Sequence, residues 1–113
     1  MEAAQKLPAA ILIDDDVWIR EAWKLKARER GRVIHVYATP DEFLQDVSGI
    51  SNETPIFIDS NLGDGIRGEK LAEDLDNKGY HNIYLATGDE PDDFPPMAFI
   101  KGIVGKEPPA WLF

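Results

Sequence analysis

Four short stretches hold the residues able to do chemistry: LIDDDVW, with Asp14, Asp15 and Asp16 side by side; FID, ending at Asp59; LATGD, with Thr87; and GIVGK, with Lys106. Carboxylates brought together in a dry cleft raise one another's pKa unless a cation offsets their repulsion. The chain has no Cys, which excludes thiolate zinc sites, thiol nucleophiles and disulfide scaffolds. An oxygen-only donor set suits the hard cation Mg²⁺, with waters completing an octahedron. A carboxylate left free beside such a metal is able to accept a phosphoryl group covalently, and the incoming oxygens then need compensating charge and donors. The metal, the Lys106 ammonium and the Thr87 hydroxyl would supply them.

Chemistry of this kind needs elements that bring four distant stretches to one place. Ala9 to Ile13 (AAILI) is an apolar run of strand length that stops at the acids, and it reads as a strand buried on both faces. Val17, Ala22, Trp23, Leu25 and Ala27 then recur at helical spacing among charged residues, with Asp16 as N-cap and Gly31 as stop. Arg32 to Tyr37 (RVIHVY) reads as a second strand. Thr39, Pro40 and Glu42 give an N-cap, a proline at N1 and an acid at N3 for a short helix, Asp41 to Val47. Thr54 to Ile58 (TPIFI) is a third strand, ending at Asp59; the loop NLGDGIRG leads into a helix from about Gly68 to Asn77. His81 to Ala86 makes a fourth strand ending at Thr87, and Gly102 to Val104 a short fifth ending near Lys106.

Strands alternating with helices imply right-handed βαβ units and a parallel sheet with helices on both faces. In such a sheet ligands bind outside the carboxyl ends of the strands, and every residue singled out above stands at one of those ends. One connection departs from the pattern. GDEPDDFPPMAFIK holds Pro91, Pro95 and Pro96, and proline inside a helix costs about 3 kcal/mol or more, so one turn or an irregular loop is expected there.

With 113 residues the chain is expected to be one domain with a single core, spanning 1–113. Its 43% hydrophobic and 29% charged composition is that of a soluble globular protein, and it has no repeat, low-complexity tract or linker. Asp and Glu number 21 against 12 Lys and Arg, a balance that repels nucleic-acid backbones and anionic membranes and favours cations or basic protein patches. The apolar stretch in MEAAQKLPAAILI is too short for a signal-peptide core or a membrane span, which points to the cytoplasm.

Taken in order, IDDD, FID, LATGD and GIVGK resemble the acid pair, phosphoacceptor, Ser/Thr and Lys of the receiver domains of two-component response regulators, over nearly the whole chain. The resemblance implies a doubly wound α/β fold with a five-stranded parallel sheet in order 2-1-3-4-5, here with a short or missing fourth helix and a truncated fifth. It implies that Asp59 is the phosphoacceptor and that Asp14 and Asp15 are the acid pair, Asp15 binding Mg²⁺ directly and Asp14 largely through water. The Asn61 carbonyl would be the third protein ligand, Thr87 the switch hydroxyl and Lys106 the phosphate partner. A histidine kinase or histidine phosphotransfer domain would be the partner. The domain would be a signalling module that catalyses only its own phosphoryl transfer and dephosphorylation. Asn61 and Asp89, each two residues beyond a site residue, would tune phosphoryl loss, and the small Gly88 would leave access. NLGDG is also similar to the loop of receivers fused to sensor kinases. The 113 residues show no DNA-binding segment or effector enzyme, so the module is expected to act by docking or to belong to a longer chain, such as a hybrid kinase.

Two departures from the family stand out. Ile103 occupies the position, three before the lysine, where the family often carries an aromatic switch residue. Glu107 stands where the family usually has proline, which favours a trans Lys106–Glu107 bond. Two alternatives stay open. The domain is a phosphorylation-independent pseudo-receiver that docks a partner, motivated by the segment from Glu90 to Gly105. Or it resembles a haloacid-dehalogenase-like phosphatase, with Asp14 as nucleophile and Asp16 as general acid, which leaves Asp59 idle. The plain readings are that acidic runs are solvated surface, that Asp16 only caps a helix, and that Thr87 only begins a turn. His35 and His81 fit structural or surface roles, and Trp23 faces the core.

Overall fold

A computed structural model describes residues 8–46 and 50–113. Five strands, β1 (Ala10–Ile13), β2 (Ile34–Tyr37), β3 (Ile56–Ile58), β4 (Ile83–Ala86) and β5 (Gly102–Val104), form one sheet in the order β2-β1-β3-β4-β5. Every pairing is parallel, with Leu12 opposite Phe57 in the β1–β3 ladder and Phe57 opposite Tyr84 in the next. Three helices, α1 (Val17–Glu29), α2 (Pro40–Asp46) and α3 (Gly68–Asn77), connect the strands. Between β4 and β5 stands only a 3-10 turn, Pro91–Asp93. Beyond β5 no helix forms among the described residues.

β1 and β3 are apolar throughout because both faces are covered, and all their side chains are buried. Alternation sends them to two cores. Ile11, Ile13, Ile56, Ile58, Ile83 and Leu85 meet Phe43 of α2 and Leu71 and Leu75 of α3 on one face. Leu12, Phe57 and Ala86 meet Trp23 and Ala27 of α1 on the other. Burying an aliphatic or aromatic side chain of this size contributes about 1.5–3 kcal/mol. On the second face the C-terminal segment takes the place of a fifth helix. Leu112 is buried there, and Trp111 lies 5.3 Å from the Tyr84 ring, which stacks on Phe57 at 5.0 Å.

Local chemistry sets the ends of the elements. Asp16 caps α1, its Oδ1 accepting from the Trp18 amide at 2.8 Å. After α1, Gly31 takes φ +68°, the left-handed stop that its lack of a Cβ allows. Thr39 Oγ1 caps α2 by accepting from the Glu42 amide at 3.1 Å, while Glu42 returns a bond to the Ala38 amide, one residue before the cap. The helix begins at Pro40 rather than Asp41; its expected end, Val47, lies outside the described residues, as do residues 1–7. Strands β2, β3 and β4 each begin two residues later than the sequence pattern suggests, because Arg32, Thr54 and His81 are strand-like in type but stand before the ladders start.

Candidate functional site

The parallel sheet brings the four sequence stretches to one edge. Asp14, Asp15, Asp16, Asp59, Asn61, Thr87 and Lys106 all line a single cleft of about 360 Å³, together with Ser60, Gly63, Gly88 and Asp89. The main-chain N–H of Asp59 donates to the Ile13 carbonyl at 2.9 Å, and that of Asp14 to the Tyr37 carbonyl at 3.0 Å. The parallel ladders thus continue into the acids and fix where each carboxylate emerges.

The three adjacent acids have three different environments. Asp14 is fully buried; its Oδ1 accepts from the Asp16 amide at 2.9 Å and its Oδ2 from Lys106 Nζ at 2.9 Å. Arg20 Nη1 adds a bond to the Asp14 carbonyl oxygen at 2.9 Å. Asp15 is exposed and its carboxylate has no hydrogen-bond partner among the described residues. Asp16 spends its carboxylate on the α1 cap, which gives the general acid of the phosphatase alternative another task.

Lys106 bridges the edge. Its Nζ lies 2.9 Å from Asp14 Oδ2 and 2.9 Å from Asp59 Oδ1, so the lysine reaches the site although Glu107, not proline, follows it. Its main chain is held from behind, where the Trp23 indole N–H donates to the Lys106 carbonyl at 2.8 Å. Burial draws the Lys106 ammonium down, but the hydrogen bonds to Asp14 and Asp59, with their charges, outweigh it and hold the group above the ordinary lysine range. Burial pushes the Asp59 carboxyl up; the Lys106 bond pulls it back, the Asp14 charge adds to the rise, and the group stays above the ordinary carboxylate range.

One carboxylate oxygen from each of Asp14, Asp15 and Asp59 lies within 4.8 Å of the others. This donor set, all oxygen and with the Asp15 carboxylate uncommitted, fits Mg²⁺. The Asn61 amide donates to Asp59 Oδ1 at 3.3 Å, which brings its peptide alongside the acids.

Three contributors to the site are not legible as such in the sequence. Ser60 is 1% exposed and its Oγ lies 3.1 Å from Thr87 Oγ1; a serine after an acid reads simply as a turn. Gly63, at φ +83°, passes so close that a Cβ there would stand 3.1 Å from Asp15 Oδ2. At Gly68 a Cβ would stand 2.0 Å from the Asp59 carbonyl oxygen, and the Gly68 amide donates to the Ser60 carbonyl at 3.0 Å. Helix α3 therefore starts flush against the main chain of the phosphoacceptor candidate, which only glycine permits.

No protein-family model matches the chain, and no curated protein matches it in sequence. Solved structures do match. A CheY-like response regulator receiver domain protein from Methanospirillum hungatei JF-1 is 22% identical, with a TM-score of 0.72 over 89% of this chain and 82% of that one. Response regulator TrrA from Thermotoga maritima, in complex with Mg²⁺-BeF, is 23% identical, with a TM-score of 0.70 over 85% and 84%. A response regulator receiver protein from Pseudomonas putida is 16% identical, with a TM-score of 0.71 over 91% and 88%. The chain has the receiver-domain fold. The strand order β2-β1-β3-β4-β5 is as expected for that fold, and among the described residues only a 3-10 turn stands between β4 and β5. No helix among the described residues is long and apolar enough to cross a membrane.

Proposed function

We propose that residues 1–113 act as one Mg²⁺-dependent receiver unit of a two-component relay, phosphorylated on Asp59 by a histidine kinase or a histidine phosphotransfer domain. The observation that carries this reading is the Asp59 carboxylate, held 2.9 Å from Lys106 Nζ in a cluster with Asp14 and Asp15 at the cleft that Thr87 lines. Its ionised form is less solvated than a surface carboxylate, which makes it the stronger base and nucleophile. An Asp59 oxygen bonds to phosphorus as the bond from phosphorus to the donor imidazole nitrogen breaks; the imidazole keeps the electron pair and takes a proton from solvent. Lys106 and the Thr87 hydroxyl meet the phosphoryl oxygens. Asp14, Asp15, Asp59 and the Asn61 carbonyl would hold Mg²⁺, which when bound supplies positive charge beside those oxygens. A Cβ built on Gly88 meets nothing within 4 Å, which leaves room for the group and for the water that removes it. Asn61 and Asp89, also lining the cleft, tune that removal.

Incubation with acetyl phosphate and Mg²⁺, read by intact-protein mass spectrometry, tests the reading. A phosphoryl adduct is expected on the wild-type chain and none on Asp59→Asn. An adduct that persists in Asp59→Asn, or none on the wild type, removes it.

A second reading, the phosphorylation-independent docking module, draws on the β4–β5 connection. Its proline-rich segment leaves an apolar hollow of about 350 Å³ between Phe94, Met97, Ile100 and Ile103. Mg²⁺ titration separates the two: binding lost in Asp15→Asn supports the phosphoacceptor.

A further inference from the structure

Two buried hydroxyls face each other beneath the acids, and counting their protons gives a direction to the bond between them. Thr87 Oγ1 accepts from the Asp89 amide at 3.1 Å and lies 3.1 Å from Ser60 Oγ. A hydroxyl has one proton and two lone pairs. Ser60 is 1% exposed, and among the described residues Thr87 Oγ1 is the partner its hydroxyl has. If Thr87 donated to Ser60, the Ser60 proton, on a residue 1% exposed, would have no acceptor among the described residues, and a buried donor left so costs about 1–3 kcal/mol. If Ser60 donates, its proton is used, both lone pairs of Thr87 Oγ1 are filled, and the Thr87 proton is left for the cleft shared with Asp59 and Lys106.

We propose that Ser60 is a positioning residue that makes Thr87 a donor-only hydroxyl, set to bond an anion seated beside Asp59. Ser60 is well placed for this. Its carbonyl accepts from the Gly68 amide at 3.0 Å, and its neighbour Asp59 continues the β3 ladder, so the main chain that carries its side chain is fixed. Thr87 is anchored in the same way through its amide, which donates to the Val104 carbonyl at 2.9 Å. An anion with acceptor oxygens only, such as a phosphoryl group, gains a bond; a neutral donor arriving at the same point meets a proton. The proposal rests on the phosphoacceptor reading and adds to it the residue that sets the polarity of the Thr87 contact.

The test is a double-variant cycle read by calorimetric titration of beryllofluoride with Mg²⁺. Ser60→Ala is expected to weaken binding about three- to tenfold, the worth of one neutral hydrogen bond. Thr87→Ala is expected to weaken it further, and Ser60→Ala is expected to add nothing in the Thr87→Ala background. Thr87→Ser, which keeps the hydroxyl, should restore the sensitivity to Ser60→Ala. Losses that multiply in the double variant, or a Ser60→Ala chain that melts earlier yet binds as well as wild type, overturn the proposal. Wild-type protein that binds no beryllofluoride removes the phosphoacceptor reading instead. The hydroxyl direction is then decided on the unligated chain by NMR: a slowly exchanging hydroxyl proton coupled to the Ser60 β-protons supports it, and one assigned to Thr87 overturns it.

Discussion

On the β1–β3 side of the cleft almost every polar group is engaged: Asp14 uses both carboxylate oxygens, Asp16 caps α1, Asp59 meets Lys106, and Gly68 presses helix α3 against the Asp59 main chain. On the far side, the β4–β5 connection is a 3-10 turn of three residues followed by prolines, its acids Asp89, Glu90, Asp92 and Asp93 are exposed, and β5 is only half-buried. The difference teaches that the acid and lysine cluster assembles without a helix between β4 and β5. The acids need β1, β3 and the lysine after β5, whereas a helix between β4 and β5 supplies none of the groups that meet in the cleft.

Variants on the two sides should therefore behave differently, and the largest contrast comes from Gly68→Ala. The new Cβ would fall 2.0 Å from the Asp59 carbonyl oxygen and 2.9 Å from Ile58 Cγ2, and because the nearest group is main chain the overpacking should cost about 3 kcal/mol and misplace Asp59. A marked drop in Tm and in phosphoryl uptake is expected; an unchanged Tm would mean that α3 is free to slide.

Next is Lys106→Ala, which strips the cation from two buried carboxylates and should cost about 2 kcal/mol. Added Mg²⁺ should recover part of that loss, a rescue visible in denaturant melts with and without the metal. The lysine is raised in the fold, so its stabilising contribution is complete below the ordinary lysine pKa and is lost as pH rises through the higher folded value.

Asp59→Asn should move stability the other way. The Asp59 carboxyl is also raised in the fold, so its contribution is present below the ordinary Asp pKa and is lost as pH rises through the folded value. Above the folded value the ionised group is a burden, and there the Asn variant should melt higher than wild type; the advantage should vanish as pH falls below it. A Tm difference that does not change with pH would assign the effect to packing. The smallest effect belongs to Phe94→Ala in the irregular segment, where the ring is half-buried: about 1 kcal/mol or less, with phosphoryl uptake unchanged.

Much of the site side was legible in the sequence because each acid or hydroxyl terminates an apolar run, and parallel topology alone then gathers the run ends. The loss of the fourth helix was legible as well, since Pro91, Pro95 and Pro96 forbid it. Contacts between chemically ordinary residues were not. Nothing in the letters marks Ser60 as the partner of Thr87, 27 positions away, or Trp23 as the partner of Lys106, 83 positions away. Gly68 reads in the sequence only as the start of a helix, and its requirement comes from close approach rather than from backbone angle. The strands start later than residue type suggests because type reports a liking for extended backbone, whereas a strand begins where a neighbour is available to pair.

Trp23 has an optical consequence. Its indole is wholly buried and tied to the Lys106 carbonyl, whereas Trp18 and Trp111 are exposed to solvent. Its emission should lie to the blue of theirs and survive iodide or acrylamide that quenches the other two. A displacement of the lysine loop on phosphorylation would alter the polarity at the indole nitrogen, so the unlabelled protein carries its own fluorescent gauge of the site, one helix away from it.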